Sequence, residues 1–362
     1  MADQLQGPEP APRPDLASAA AALRGAGAQV AQLRVEANSE PWAATGLDAS
    51  REAPITWLVD GDMWIGAPEG PHVDAGFQLR VRTGLRGPAL AGTGPTFTTA
   101  APHDGPIEVC SLYPGELRED DRIVYDPMLP RALFGGAFDM VVAVWPTGAD
   151  IGERLVDAAV NDQTGLCARE LDRIGDPITP PARWEPHRHI PLVGLHRQHG
   201  GEVDVHSRGQ VEIICHEARA TLTETLKLRW RWRMDQLPAS GAEDTILTHD
   251  YMSVAVEFDD GRDLTYHWSV GLPPETSYCC PLAHWREREW HLVVRSGSSG
   301  IGEWQNEERA LRADRNKAIG GATPLEVVRV WLIVTCVCGG GEARGSYADI
   351  ELVDRDETLR VL

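Results

Sequence analysis

Short apolar or alternating runs dominate two long stretches of the chain. Between Val35 and Trp145 they are Ile55–Val59, Phe77–Val81, Thr96–Thr99, Ile107–Cys110 and Phe138–Trp145, separated by clusters of Gly, Pro and Asp. Short strands at regular spacing with turn signals predict a sandwich or barrel. From Trp184 onward the clearest strands are Leu226–Arg233, Met252–Phe258, Leu264–Val270, Trp290–Ser296, Val327–Cys338 and Tyr347–Val353. Between the two stretches, Leu155, Ala158, Ala159, Asp162 and Leu166 follow a near-helical period, and Pro177, Pro180, Pro181 and Pro186 stop it. The span from Asn306 to Ile319 also predicts a helix, mainly charged. The four prolines before Asp15 predict disorder. Gly25 and Gly27 reduce the Ala-rich stretch Leu16–Leu33 to a weak helix or tether.

The fold expected is all-β: two β-sandwich, jelly-roll-like modules joined by a short helical connection. Residues 1–34 form the tail and weak helix, 35–149 the first sandwich, 150–183 the helical and Pro-rich connection, and 184–362 the second sandwich.

The sharpest local signal is a hairpin around Asp259-Asp-Gly-Arg262. A three-residue loop, Asp260-Gly-Arg262, pairs Phe258 with Leu264, Val256 with Tyr266 and Val254 with Trp268. It keeps one face apolar, whereas a two-residue loop does not. The opposite face then carries Ser253, Ala255 and Glu257 beside Thr265, His267 and Ser269, with Glu257 and His267 about 7 Å apart on the diagonal. A Glu beside a His is suited to acid–base chemistry. By the same parity, Trp290–Ser296 places His291 and Arg295 on a polar face, and Leu226–Arg233 does so for Arg229 and Arg231. If these strands share one sheet, the candidate catalytic residues are Glu257, His267, His291 and Arg295. Arg229, Arg231, Ser253, Thr265 and His249 would bind an anionic ligand. A solvated face of cross-strand ion pairs is the plain alternative.

Six of the twelve histidines lie between His187 and His216. His187 and His189 share a strand face and could take a divalent metal, although no acidic or Cys partner stands at a diagnostic spacing. No cofactor is otherwise expected. Phosphate-loop, dinucleotide and hydrolase-elbow motifs do not occur. Asp60-Gly-Asp62 and Asp259-Asp-Gly261 read as turns.

The net charge is −20, with Lys227 and Lys317 the only lysines. Such a chain is a poor match for nucleic acid or anionic membrane. No apolar run approaches the ~18 residues of a membrane span. The seven cysteines lack metal-ribbon or disulfide-framework spacing, and residues 1–15 lack a signal-peptide pattern, so the expectation is a cytoplasmic protein with reduced thiols. The oligomeric state is not legible.

Trp42-Ala-Ala-Thr-Gly-Leu47, Ile55-Thr-Trp-Leu-Val-Asp-Gly-Asp62, Gly94-Pro-Thr-Phe97, Gly105-Pro-Ile-Glu-Val109, Tyr113-Pro-Gly115 and Gly135-Gly-Ala-Phe138 together resemble the PA-I-like, galactose-binding bacterial lectins. The resemblance covers about a third of the chain and implies a lectin sandwich. In that family calcium and sugar are held by an Asn-Asp pair before the Pro-Gly and an Asn pair before the final strand. Here those places read Cys110-Ser-Leu-Tyr113 and Ala132-Leu-Phe134, which lack the oxygen ligands that calcium requires. In the second module, Leu228-Arg-Trp-Arg-Trp-Arg233 with Leu237-Pro238, Ser253–Phe258, Tyr266-His-Trp268, Val293-Val-Arg-Ser-Gly297 and Trp304 resemble a bacterial all-β family known only as a domain of unknown function. That resemblance implies a jelly-roll-like sandwich and carries no activity.

Two ligand hypotheses follow. One is a protein binding carbohydrate or a glycan-like ligand, supported by the lectin resemblance and by twelve Trp that could stack on sugar rings. The other is a jelly-roll enzyme, a lyase or hydrolase, acting on an acidic sugar or other carboxylated small molecule. A structural or partner-binding protein is the third alternative.

Overall fold

A computed structural model of the chain describes residues 16–37, 42–112, 115–117, 123–125, 130–187, 190–246, 248–249, 251–283, 285–337, 341–355 and 357–362. The first module contains β1 (Gln29–Glu36), β2 (Ala43–Ala49), β3 (Pro54–Ile65), β4 (His72–Val73) and β5 (Leu79–Thr83). It continues with β6 (Leu90–Ala91), β7 (Thr96–Ala100), β8 (Gly105–Ser111), β9 (Gly115–Leu117), β10 (Ile123–Tyr125) and β11 (Phe134–Val144). One sheet runs β1-β11-β3-β4 with β7 also on β3, a second runs β2-β8-β5-β6, and β9 pairs with β10. Ile55, Trp57 and Val59 alternate toward the core with Met140, Val142 and Val144, and meet Val81, Ile107 and Val109 from the facing sheet.

The other face of the β11-β3 sheet is apolar too, and helices cover it. Helices α1 (Leu16–Gly25), α3 (Ile151–Ala159) and α4 (Leu166–Gly175) pack Leu23, Leu155 and Leu166 with Leu58, Val141 and Trp145; the short α2 is Ala75–Gln78. The Ala-rich stretch is therefore a docked helix, not a tether. Its small side chains allow close approach: Ala19 and Ala20 are fully buried.

The second module contains β12 (Glu185–Pro186), β13 (His196–His199), β14 (Glu202–Arg208), β15 (Val211–Thr221), β16 (Lys227–Gln236), β17 (Tyr251–Phe258) and β18 (Asp263–Ser269). It closes with β19 (Ser277–Cys279), β20 (Glu289–Ser296), β21 (Gln305–Ala310), α5 (Leu311–Ala318), β22 (Glu326–Thr335), β23 (Glu342–Asp354) and β24 (Glu357–Arg360). The first half of the predicted 306–319 helix is thus strand: β21 pairs with β16 and sets Glu307 and Glu308 against the tryptophan–arginine strand. A seven-stranded sheet, β12-β15-β22-β17-β18-β20-β19, faces a six-stranded one, β13-β14-β23-β16-β21 with β24 on β23. Between them lies the main core, with Trp230, Trp232, Tyr266, Trp268 and Phe258. The protein is all-β in its framework, with two sandwich-like layered regions. No helix among the described residues is long and apolar enough to cross a membrane.

The tryptophans serve packing. Seven are buried, and none of the twelve is classed as exposed. Four of the five half-buried indoles carry a guanidinium over the ring: Arg82 on Trp42, Arg231 on Trp304, Arg262 on Trp290 and Arg288 on Trp285. This corrects the expectation of open stacking platforms. A guanidinium over a ring adds cation–π attraction to this packing.

Candidate functional sites: a sealed polar cluster and an open groove

Strands β17 and β18 are buried at every position. An antiparallel sheet with one face in water would alternate, so both faces here are covered. One face supplies Val254, Val256, Leu264, Tyr266 and Trp268 to the main core. The other is overlaid by Val73 of the first module and by Trp285, which join Tyr251, Ala255, Trp331 and Ile333 in a second apolar cluster. Glu243 also reaches over it, accepting hydrogen bonds from Ser269 Oγ and the Val270 amide.

The hairpin keeps the predicted faces but not the predicted register. Ser253 pairs with His267, Ala255 with Thr265 and Glu257 with Asp263. The loop is Asp259-Asp-Gly261, closed by the Phe258 amide donating to the Arg262 carbonyl and by Gly261 at φ +76°. The shift is two residues, so parity survives while the cross-strand partners change. Glu257 is therefore not the neighbour of His267. It accepts from Arg329 at 2.9 Å and from Trp331 Nε1 at 3.2 Å.

What gathers around His267 comes from β17, β18, β20 and the segment that leads into β20. Strands β18 and β20 are adjacent and parallel, pairing Asp263 with Glu289 and Thr265 with His291. Tyr278 is opposite His291 from β19. The His267 and His291 rings lie 5.7 Å apart, Tyr278 stacks on His291 at 4.8 Å, and Tyr251 meets His291 edge-on at 4.9 Å. The Tyr278 hydroxyl is 3.2 Å from His267 Nε2. Tyr251 Oη donates to Glu289 Oε1 at 2.9 Å, and Thr265 Oγ1 donates to Asp263 Oδ2 at 3.0 Å. Both imidazoles are fully buried.

The electrostatics are those of a buried interior, in which desolvation outweighs the charges nearby. Burial pushes the His267 pKa down to about 3. His291 is held well below the ordinary value by burial and then by the neighbouring imidazoles. Burial, followed by the charge of Glu289, holds Asp263 well above the usual carboxylate range, and burial raises Glu289 as well. Burial and Glu289 likewise raise the Cys280 thiol and the Tyr251 phenol. The cluster thus keeps neutral imidazoles beside reluctant acids. Several polar atoms lack a hydrogen-bond partner: His291 Nδ1 and Nε2, His267 Nδ1, Asp263 Oδ1 and Ser253 Oγ. Each buried orphan costs about 1–3 kcal/mol.

Of the residues singled out in the sequence, Ser253, Thr265, His267 and His291 come together, with His249 at the edge, its ring 6.4 Å from Tyr251. Arg295 does not join them. A register shift between His267 and Trp268 breaks the alternation of β20, so Arg295 pairs with Trp268, lies over its ring at 5.7 Å and donates to Glu307. Arg229 and Arg231 belong to the other sheet and bond Glu308 and Asp349, so the single-sheet arginine face is corrected. The histidines from 187 to 216 disperse. His187 packs against Trp285 and Trp331, His196 bonds Glu212, His206 bonds Glu342, and His189 lies outside the described residues.

Asp263, Tyr278, Cys280 and Glu289 were missed. Alternation alone puts Asp263 with Thr265 and His267, and Glu289 with His291. The missing step was the parallel adjacency of β18 and β20, which no local pattern encodes.

The second site is open. A groove of about 740 Å³ lies where the first module meets the second, lined by Asp60, Asp62, His72, Asp74, Arg169 and Arg208 with Val59 and Phe138. Its floor depends on Gly61, which sits within β3 at φ +117°; a Cβ there would come within 2.4 Å of the Ala137 carbonyl oxygen. Asp60-Gly-Asp62 is therefore an irregularity inside a strand, not a turn. His72 Nδ1 stands 2.6 Å from Asp62, and Arg208 bonds Glu342 at 3.0 Å. At the places where the lectin resemblance puts calcium and sugar, Cys110, Leu112 and Phe134 are buried apolar side chains.

Comparison with known proteins gives one family match, within the second module. Residues 193–351 match the sequence profile of a family described as a protein of unknown function, DUF3047. No curated protein matches the chain. Among solved structures, the N-terminal domain of EclA, a PllA-like lectin, is 15% identical, covers 32% of this chain and 95% of its own, and has a TM-score of 0.24. The xyloglucanase domain of NopAA, a type three effector from Sinorhizobium fredii solved with cellobiose, is 7% identical, covers 49% and 95%, and has a TM-score of 0.31. An ENZbleach xylanase mutant is 8% identical, covers 49% and 90%, and has a TM-score of 0.24. At these TM-scores the likenesses assign no ligand or activity, and the chain is one whose second module carries the profile of an uncharacterised family.

Proposed function

We propose that the protein binds a carbohydrate or glycan-like ligand bearing hydroxyls and a carboxylate, in the groove between the two modules. The observation that carries this reading is the lining itself. Asp60 and Asp62 supply acceptors for hydroxyls, and Arg169 and Arg208 supply guanidinium forks for a carboxylate, around one opening of about 740 Å³. The volume is in the usual range for small-molecule sites. Titration calorimetry of the full chain against glucuronate, galacturonate and their neutral parent sugars tests it. The expected result is binding of a uronate, weakened about tenfold or more in Arg208→Ala and in Asp62→Asn. Equal binding of neutral and acidic sugars would remove the carboxylate from the proposal, and no binding of any of them would sink it.

A second reading, a jelly-roll enzyme acting on an acidic sugar, draws on one feature: two buried carboxyl groups beside two neutral imidazoles. In that reading His267 takes the proton, with Glu289 in place of Glu257 as the acid. It requires the cover over β17 and β18 to open. Release of an unsaturated product from a uronate-containing substrate, lost in His267→Ala, is its test.

A further inference from the structure

Cys280, Glu289 and His291 bring three potential metal donors together. Their sulfur, carboxylate oxygen and imidazole nitrogen all lie within 4.8 Å of one another, and all three residues are buried. Donors around a tetrahedral zinc ion stand roughly 3.3–3.8 Å apart, given bonds of 2.0–2.3 Å. Small side-chain adjustments would therefore close the set on an ion. The backbone already fixes it. Glu289 and His291 are two apart on β20 and share a face, and the Cys280 amide donates to the Glu289 carbonyl at 2.9 Å.

The surroundings point to the same conclusion independently. Both ring nitrogens of the fully buried His291 lack a hydrogen-bond partner. Glu289 Oε2 is 3.7 Å from His291 Nε2, while Oε1 is occupied by the Tyr251 hydroxyl at 2.9 Å. Tyr251 thus orients the carboxylate by a hydrogen bond, the kind of outer contact that holds a metal ligand in place, and Tyr278 packs flat against the imidazole. A thiol, a carboxyl group and an imidazole are thus buried together within ligand distance of one another.

We propose that Cys280, Glu289 and His291 form a transition-metal site of the zinc type, with Asp263 and His267 as neighbours on the adjacent strand. Thiolate, imidazole and carboxylate together select zinc over magnesium or calcium. Binding releases the thiol proton, and any proton held by the Glu289 carboxyl group, to solvent and forms metal–sulfur, metal–nitrogen and metal–oxygen bonds without redox change. This site is independent of the groove.

The test is to unfold the full chain in chelator and refold it with zinc or cobalt(II). One equivalent of metal is expected, with a higher melting temperature than the metal-free protein. The cobalt form is expected to show a thiolate-to-metal charge-transfer band that Cys280→Ser abolishes, and His291→Ala is expected to weaken binding at least about tenfold. No stoichiometric uptake overturns the proposal. So does uptake unchanged in both variants, which would place the ion elsewhere. If the variants do not fold, X-ray absorption at the zinc edge of the wild-type protein decides: one sulfur with nitrogen and oxygen neighbours supports the site, and a sulfur-free shell overturns it.

Discussion

Glu212 and Glu289 are buried carboxyl groups on the same seven-stranded sheet, and the chain treats them in opposite ways. Glu212 lies in a nest of consecutive backbone amides. Oε2 accepts from Val193 at 2.5 Å and Gly194 at 2.7 Å, and Oε1 from Leu195, His196 and His196 Nδ1 at 3.1, 3.0 and 2.8 Å. Burial alone would raise its pKa, but His196 and the amides override that and leave it below the ordinary value. It ties the segment entering β13, in the six-stranded sheet, to β15 in the seven-stranded one. Glu289 has a phenol, a thiol and a second acid for company, and burial wins. The lesson is that burial does not define a carboxylate's role. A carboxylate held by backbone amides closes a sandwich, and one held by a phenol, a hydroxyl and a thiol beside orphaned imidazoles stays a reluctant acid.

The contrast can be broken at several points. The largest effect is expected for Glu212→Leu, which strands four amides: a loss of about 3–5 kcal/mol in the denaturant midpoint analysis. A loss below 1 kcal/mol would mean the nest is not structural. The pH dependence comes next. Because the folded pKa of Glu212 is depressed, its stabilisation is complete above the ordinary value of 4.5 and is lost as pH falls through the lower folded value. Melting curves of wild type and Glu212→Gln should therefore converge on acidification below pH 4.5. A constant gap would contradict the assignment. In chelator-treated protein, Glu289→Gln keeps an acceptor for Tyr251 and removes a reluctant acid, so stability should move by less than about 1 kcal/mol in either direction. A cost equal to that of Glu212 would erase the distinction. The smallest change is expected in the groove, where Arg208→Ala should leave the unfolding free energy within about 0.5 kcal/mol while weakening uronate binding. Destabilisation in step with lost binding would make the groove a structural seam.

Much of the framework was legible locally. Alternation separated Val254, Val256 and Phe258 from Ser253 and Glu257, and put Thr265 and His267 on the polar side. The turn Asp259-Asp-Gly261 was recognisable because Gly261 supplies the positive φ that few other residues tolerate. The Ala-rich helix was underrated because its stability comes from docking, which propensity does not count. Glu257 was chosen over Asp263 because a two-residue slip leaves every face unchanged, so hydrophobic patterning cannot detect it.

By itself, then, the sequence determined the β framework, the parity of its strands and the roster of titratable side chains, because these depend on backbone periodicity and on residue chemistry within a few positions. Only the tertiary structure decided that β20 lies parallel to β18, that a register shift takes Arg295 away from His291, and that Val73 and Trp285 help cover the polar face. Those outcomes turn on contacts between residues far apart in the chain, and the same contacts exclude the water that would otherwise have made this face an ordinary solvated surface.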